Sequence, residues 1–207
     1  MAGRPPQHSR EEFVRAALSI IDDAGFDALT VRSLGARLNV HPTAIYRYFA
    51  NRAALLTAVM DLLFGEIVAT PDDLDASPRA RLRTLMLRSR EVIMQHPNVA
   101  LLLLSSDGLM PHGGEIMRRA VAALKAAGLG GHELVVRYQA LESFTLGATA
   151  FDLLGAPDNV AIRRQRYFAL GIPAFDDAAE SDVHVAASNE QAFGIGCDAL
   201  LDRVLPD

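Results

Sequence analysis

The sequence predicts an all-α protein, with a small helix-turn-helix unit at the N-terminus followed by a larger helical part. Apolar residues recur at the spacing of amphipathic helices, and no segment shows the alternation expected of a β-strand. Residues that typically start and stop helices bound these periodic segments. Half of the 207 residues are hydrophobic, which is enough to form a sizeable core.

Composition argues against several other classes of protein. No apolar run approaches the roughly 20 residues that a membrane-spanning helix needs. The charged N-terminus is not followed by the apolar stretch of a signal peptide. The single cysteine, Cys197, cannot form an internal disulfide or a cysteine-ligated zinc site. We therefore expect a cytoplasmic protein with no membrane partner.

The first predicted helix has recognisable signals at both ends. Residues 1–8 are expected to form a flexible arm. Ser9 and Glu12 have the spacing of a capping box, in which each side chain satisfies a backbone N–H. Gly25 then suits a helix C-terminus, so the helix is expected at about 10–24.

Two short helices follow, joined by a tight turn. Thr30 is a candidate N-cap for a helix at about 31–38. Pro42 fits the first turn of the next helix, at about 42–49, because its missing N–H is not needed there. Asn51 can cap the fourth, longer helix, which is expected to join the two parts of the chain. This arrangement predicts a helix-turn-helix unit.

The predicted helix at 42–49 has two distinct faces. Ile45 and Phe49 fall on one side and are expected to point into the core. The side chains expected on the outer face are Thr43, Tyr46, Arg47 and Tyr48. Arginine can donate two hydrogen bonds to guanine, threonine can contact a base, and tyrosine hydroxyls suit phosphate oxygens.

The charge of this face fits two interpretations: an ordinary solvated surface, or a surface that contacts DNA. The whole chain carries a net charge of −5, yet no Asp or Glu occurs between Ala28 and Met60. This window contains the arginines Arg32, Arg37, Arg47 and Arg52. An ordinary solvated surface would explain the charge alone. Because the arginines lie on a helix-turn-helix unit, we favour contact with DNA.

The segment LTVRSLGARLNVHPTAIYRYFANRAALL, with the first helix before it, resembles the N-terminal domain of TetR-family transcriptional repressors over about residues 9–63. The resemblance implies a DNA-binding domain at 9–63 and a helical effector-binding and dimerisation domain at 64–207. It also implies that an effector releases the protein from DNA. The DNA-binding positions implied, together with the outer face described above, are Thr30, Arg32, His41, Pro42, Thr43, Tyr46, Arg47, Tyr48 and Arg52. His41 stands where the family often has an N-cap serine, and Arg52 where it often has a phosphate-binding lysine.

The remaining sequence is expected to be helical, with irregular segments between the helices. Helices are predicted at about 79–95, 98–105, 115–127, 132–154, 159–169 and 188–204. Loops are predicted at 106–114 and through the acidic segment that precedes the last helix.

Two of these helices carry small residues on apolar faces, which would allow close helix packing. These residues are Ala140, Gly147, Ala148, Ala192, Gly196 and Ala199. They could serve packing within one chain or between two chains. A single short helix reads too few base pairs for useful specificity, whereas a two-fold dimer reads a palindrome. We therefore expect a homodimer on a palindromic double-stranded DNA operator.

The larger part lacks the sequence signals of an enzyme. Its histidines do not have the spacing of a helical metal site, and neither a phosphate-binding glycine loop nor a nucleophile elbow occurs. We expect no catalytic residues, no metal site and no cofactor. A small-molecule effector pocket, mostly apolar with a few polar groups, is more plausible. The candidate effector residues are Met86, Arg90, Met94, His96, Met117, Tyr138, Glu142, Phe144 and Phe151.

The sequence thus predicts a DNA-binding transcriptional regulator, most simply a repressor that a small molecule releases from DNA. Two alternatives remain open at this stage. The same fold could activate transcription. It could also be a ligand-binding or protein-binding module whose helix-turn-helix unit is vestigial.

Overall fold

The computed structural model describes residues 8–99, 110–153, 159–171, 173 and 181–206, and within these ranges it contains helices and no strand. The α-helices with both ends in these ranges are α1 (Arg10–Ala24), α2 (Val31–Arg37), α3 (Arg52–Val68), α4 (Pro78–Gln95), α5 (Pro111–Ala126), α6 (Gly131–Leu153), α7 (Asn159–Leu170) and α8 (Asp182–Val204). The N-terminal part also has 3₁₀ helices at Phe26–Ala28 and Pro42–Arg47; the second is called the 42–47 helix below. The predicted all-α class is confirmed. The predicted arm lies outside the described residues except for its last residue.

Local capping sets the helix starts in the N-terminal part, as predicted. The Ser9 backbone N–H donates to the Glu12 carboxylate at 2.6 Å, and the Glu12 N–H donates to the Ser9 hydroxyl at 3.2 Å. Thr30 accepts a hydrogen bond from the Ser33 N–H at 3.0 Å and so caps α2. Asn51 caps α3 in the same way.

Several predicted boundaries in the C-terminal part are wrong. The loop predicted at 106–114 is helical from Pro111, because proline can occupy the first turn of α5. The last helix begins at Asp182 rather than 188, because the Ser181 hydroxyl caps it by accepting from the His184 N–H at 3.2 Å. Most of the helix predicted at 98–105 lies outside the described residues.

The described residues form two large hydrophobic cores. The first is formed by α1, α2, α3 and the 42–47 helix, and it also takes in Val92 and Val99 from beyond the N-terminal part. The second joins α4, α5, α6 and α8. Gly196 of α8 lies in this second region against Phe144, where an added Cβ would come within 2.7 Å of the ring. Gly196 therefore serves packing within the chain, which is one of the two roles that the sequence left open.

The helix α3 connects the two parts and packs against α1, α4 and α5. It continues to Val68, so the expected boundary between residues 63 and 64 falls inside a helix. Hydrogen bonds also cross between the parts. The Asn98 side chain donates to the Ile21 carbonyl at 3.1 Å, and Asp61 of α3 accepts from the His112 N–H at 2.8 Å. No helix in the described ranges is long and apolar enough to cross a membrane.

Candidate nucleic-acid interface

The turn between α2 and the 42–47 helix is unusually tight. Asn39 adopts a φ of 53°, in the left-handed region, and the Val40 N–H donates to the Gly35 carbonyl at 2.9 Å. A Cβ on Gly35 would lie 3.0 Å from the Val40 carbonyl oxygen and 3.3 Å from Pro42. Glycine at this position therefore allows α2 and the 42–47 helix to approach each other closely.

The 42–47 helix is shorter than predicted and is 3₁₀ rather than α-helical. The Ala44 N–H donates to the His41 carbonyl and the Tyr48 N–H donates to the Ile45 carbonyl, which is the i to i+3 pattern. Ile45 is nonetheless buried, as is Phe49 just beyond the helix end. The inward face predicted from helical spacing is confirmed.

The opposite face of the 42–47 helix is open to solvent. Thr43 and Arg47 are exposed, and the Tyr46 side chain is 58% exposed although it is large and aromatic. Arg32 is exposed at the start of α2. Among the described residues, Arg32 and Arg47 have neither a hydrogen-bond partner nor an ion-pair partner. Their guanidinium groups therefore keep all their donors available.

His41 caps the 42–47 helix, as its position predicted. Its Nδ1 lies 2.8 Å from the Thr43 hydroxyl oxygen and accepts from the Thr43 backbone N–H at 3.4 Å. Acceptance at Nδ1 places the ring proton on Nε2 in the neutral tautomer. The exposed imidazole thus retains one N–H donor while holding the start of this helix.

The expectation that the Tyr48 hydroxyl faces outward is wrong. The hydroxyl donates to the backbone carbonyl of His8 at 2.6 Å, and the ring packs against Phe13 with 5.0 Å between centroids. Tyr48 follows the 42–47 helix and is half-buried. Its donor is used to fix the N-terminal end of α1 against the helix-turn-helix unit.

The other two arginines of the acid-free window are also engaged within the chain. Arg37 donates to the Ser19 hydroxyl at 2.7 Å and to the Asp23 carboxylate at 2.9 Å. Arg52 donates to the Phe26 carbonyl at 3.2 Å and stacks over the Phe26 ring at 4.1 Å. Their partners lie 14 to 26 residues away in sequence, so no local pattern could reveal them.

Three of the predicted effector residues converge around Phe193 in the second core. Met86 and Phe144 are both part of the region around Phe193, and the Phe144 and Phe193 rings stack with 5.3 Å between centroids. The Arg90 guanidinium lies 4.6 Å above the Phe193 ring. Cys197, next to Met86, is fully buried, and burial raises the pKa of its thiol. The cysteine is thus part of the second core.

A buried ion-pair network lies beside these residues. Arg90 donates to Asp152 at 2.6 Å, and Arg163 contacts the other oxygen of the same carboxylate at 3.0 Å. Arg163 also donates to the side-chain oxygen of the buried Asn189. A single carboxylate therefore links α4, α6 and α7, with α8 joined through Asn189.

Of the other predicted effector residues, Tyr138 also packs against the second core, and the rest are dispersed. His96 pairs with Asp22 at the end of α1, with 2.9 Å between Nδ1 and the carboxylate. The Tyr138 hydroxyl donates to Glu142 at 2.7 Å, and burial together with this bond raises the Tyr138 pKa above its ordinary range. Of the others, Met94 packs in a small cluster near Leu153, whereas Met117 and Phe151 are exposed.

A cavity of about 320 Å³ lies elsewhere, where the C-terminal end of α3 meets α4 and α5. None of the nine predicted effector residues lines it. Within the described residues, no group of three or more histidine, cysteine, aspartate or glutamate side chains could hold a metal ion.

Comparison with known proteins agrees with this architecture. The family profile described as "Bacterial regulatory proteins, tetR family" matches residues 13–59, which include the whole helix-turn-helix unit. A curated HTH-type transcriptional regulator of Saccharopolyspora erythraea is 26% identical over 96% of this chain and 81% of its own. The class A tetracycline repressor of transposon 1721 from Escherichia coli is 28% identical over 93% of this chain and 90% of its own.

Solved structures of transcriptional regulators match this fold over nearly the whole chain. BioQ of Mycobacterium smegmatis is 26% identical, covers 96% of this chain and 98% of its own, and superposes with a TM-score of 0.72. A second BioQ structure contains the double-stranded DNA operator of that protein; it covers 93% of this chain and 99% of its own, with a TM-score of 0.64. The profile, the curated relatives and the full-length structural matches agree with the exposed helix-turn-helix face, and the chain belongs to the TetR family of bacterial transcriptional regulators.

Proposed function

We propose that this protein represses transcription as a homodimer bound to a palindromic operator, and that a small molecule binding its larger domain releases it from DNA. One observation carries the DNA-binding part of the proposal. Arg47, Tyr46 and Thr43 form an exposed polar face on a helix-turn-helix unit, in a window without acidic residues. Exposed side chains whose donors remain available are what base edges and phosphates require.

The residues of this face divide into two roles. Arg47 and Thr43 lie on the outer side of the 42–47 helix and would contact base edges in the major groove. Arg32, at the start of α2, would contact the phosphate backbone, as would Tyr46. Thr30, His41, Pro42 and Arg52 would mainly fix the unit, through the caps and carbonyl contacts described above. Tyr48 would do so as well.

Dimerisation would use the exposed faces of α6 and α8. Ala192, Ile195 and Ala199 are exposed at helical spacing on α8, and the Ile195 side chain is 72% exposed. Gly147 is exposed on α6, and a Cβ there would meet nothing within 4 Å. Small residues beside a large exposed apolar side chain suit close packing with the same helices of a second copy. The BioQ operator complex and the repressor names of relatives support the DNA-binding and repressor parts of the proposal.

Release from DNA would proceed through α3. This helix begins five residues after Arg47 and ends in contact with the larger domain. A ligand that prefers a different packing of the larger domain would shift the position of α3, and the affinity for DNA would fall by linkage. The regulator would act where chromosomal DNA is found, in the cytoplasm.

The proposal is tested by fluorescence anisotropy with DNA that flanks the gene for this protein, in the presence of competitor DNA at near-physiological salt. If that DNA contains no operator, one is selected from random sequence. Arg47→Ala is expected to weaken specific binding by about 10- to 100-fold, because it removes a bidentate base contact. Tyr46→Ala should weaken it less, through loss of a phosphate contact.

The matched control is Arg15→Ala. Arg15 is exposed on α1 and pairs only with Glu11 among the described residues, so its loss removes the same charge away from the proposed face. Circular dichroism checks that each variant folds. Operator binding by Arg47→Ala equal to that of wild type would refute the assigned interface. Failure of wild type to bind any DNA specifically would favour a vestigial helix-turn-helix unit.

A further inference from the structure

The cavity at the end of α3 has an apolar wall. Ile67 of α3 and Leu82 and Leu85 of α4 line it, together with Pro71 and Ala80. Ile67 is buried in the first core and Leu82 in the second, so packing in both cores supports this wall of the cavity. The cavity volume of about 320 Å³ lies at the lower end of the range of roughly 300 to 1,000 Å³ found for small-molecule sites.

The rim of the cavity carries both cationic and anionic side chains. Three arginines, Arg81, Arg88 and Arg119, line it beside two aspartates, Asp72 and Asp73. Arg81 uses Nε and Nη2 for Asp72, which leaves its Nη1 without a partner among the described residues. The Nε of Arg88 is buried and has no acceptor there either. Arg88 and Arg119 also pair with Glu91 at 2.7 Å and with Glu115 at 3.2 Å, so carboxylates offset the charges of the three arginines. What the rim offers an anionic group is therefore the two guanidinium nitrogens that have no described acceptor.

Two of these arginines also hold the C-terminal end of α3. Arg119 donates to the carbonyls of Thr70 and Val68 at 2.7 and 2.8 Å, and Arg88 donates to the Glu66 carbonyl at 3.4 Å. The last carbonyls of a helix have no partners within the helix, and the helix dipole makes this end attractive to cations. Together the two side chains form a clamp that fixes α3 to the larger domain.

We propose that this cavity binds an amphipathic anion of the medium-chain carboxylate class, with the alkyl chain on the apolar wall and the carboxylate at the arginine rim. A carboxylate there competes with the α3 carbonyls for Arg88 and Arg119 and loosens the clamp. Because α3 also carries the DNA-binding unit at its other end, the ligand lowers the affinity for DNA. This last step rests on the function proposed above, whereas the binding step does not.

Binding is tested by isothermal titration calorimetry of the full chain without DNA. The probe is octanoate, and octanamide is the uncharged control of the same length. Octanoate is expected to bind at least about tenfold more tightly, because charge-assisted hydrogen bonds to arginine are stronger than those to a neutral amide. Undetectable binding of octanoate, or equal binding of the two compounds, would overturn the proposal.

A cavity-filling variant locates the bound probe. Ala80→Leu fills part of the cavity from an exposed position on α4, so the fold is preserved, and it should weaken octanoate binding at least about tenfold. Ala122→Leu is the matched control, since Ala122 is exposed on α5 and does not line the cavity. Equal loss of binding in both variants, or no loss in Ala80→Leu, contradicts this location.

The effect on DNA is then measured separately. Octanoate should weaken operator binding by wild type and by Ala122→Leu, but not by Ala80→Leu. If wild type binds no operator, the proposed function fails while the calorimetry still decides the binding site. If wild type binds the operator and octanoate fills the cavity without changing the DNA affinity, the clamp is not the route of release.

Discussion

The N-terminal helix-turn-helix part and the larger domain differ in what they bury. Every buried polar or charged residue in the described ranges lies at or after Ser89, in the larger domain. The N-terminal core is built only from apolar side chains, and the charges of that part lie at its surface. Part of its arginine charge is thereby left available to a partner, whereas the larger domain uses charge to join its helices.

This difference has an energetic consequence. Exposed ion pairs such as that of Arg15 and Glu11 contribute little to stability, because water and salt screen them and the side chains lose freedom. A buried charge has lost its hydration and depends on its partner. The larger domain should therefore be sensitive to changes of charge that the N-terminal part tolerates.

The largest expected effect is that of Asp152→Asn. The substitution keeps the shape of the side chain but removes the carboxylate that Arg90 and Arg163 share. Two guanidinium groups then remain largely buried without a counter-charge, and we expect the free energy of unfolding to fall by about 3–5 kcal/mol. Urea denaturation at a fixed protein concentration measures the change, since the stability of a dimer depends on concentration.

The comparison variant is Glu11→Gln, which removes a carboxylate of the exposed pair on α1. Its effect should be under about 0.5 kcal/mol. Similar losses of unfolding free energy in Asp152→Asn and Glu11→Gln would show that the two parts are equally sensitive to the loss of a charge.

The next largest effect separates two glycines on the same helix of the larger domain. In Gly196→Ala the new Cβ would lie 2.7 Å from the Phe144 ring, which is stacked on Phe193, so we expect a loss of about 1–3 kcal/mol. In Gly194→Ala the Cβ meets nothing within 4 Å, and we expect a gain of roughly 0.5–1 kcal/mol from the helix preference of alanine. Thermal and urea unfolding of the two variants side by side measure both signs. A gain in both would mean that Phe144 moves aside freely.

Local sequence chemistry predicted the N-terminal part well. The Ser9–Glu12 capping box and the Asn51 cap depend on residues three apart, and the burial of Ile45 and Phe49 follows from helical spacing. Such short-range relations are visible in a single sequence. The short 42–47 helix was one exception, because its hydrogen bonds follow the 3₁₀ rather than the α-helical pattern. The Tyr48 hydroxyl was another, because its acceptor on His8 lies 40 residues away.

The contacts that the sequence did not predict are long-range. The Arg90–Asp152 pair joins residues 62 apart, and Arg119 reaches a carbonyl 49 residues away. Partners of this kind follow from the packing of whole helices, which composition and periodicity do not determine. For the same reason the nine effector candidates were selected by residue type, and the residues around the cavity were not among them. Exposure of Arg47 could be predicted, whereas the intramolecular contacts of Arg37 and Arg52 could not.

The smallest expected effect tests the comparison inside the N-terminal part, where the two tyrosines beside Arg47 serve different purposes. Tyr48→Phe loses the hydrogen bond from its hydroxyl to the His8 carbonyl, so stability should fall by about 0.5–1.5 kcal/mol with little change in operator affinity. Tyr46→Phe removes an exposed hydroxyl with no described partner; stability should be unchanged, and operator binding should weaken through loss of a phosphate contact. Urea denaturation gives the stability of each variant, and fluorescence anisotropy gives its operator affinity. If Tyr48→Phe weakens operator binding while its stability is unchanged, the Tyr48 hydroxyl leaves His8 to contact DNA, and the division between a fixing and a reading tyrosine is wrong.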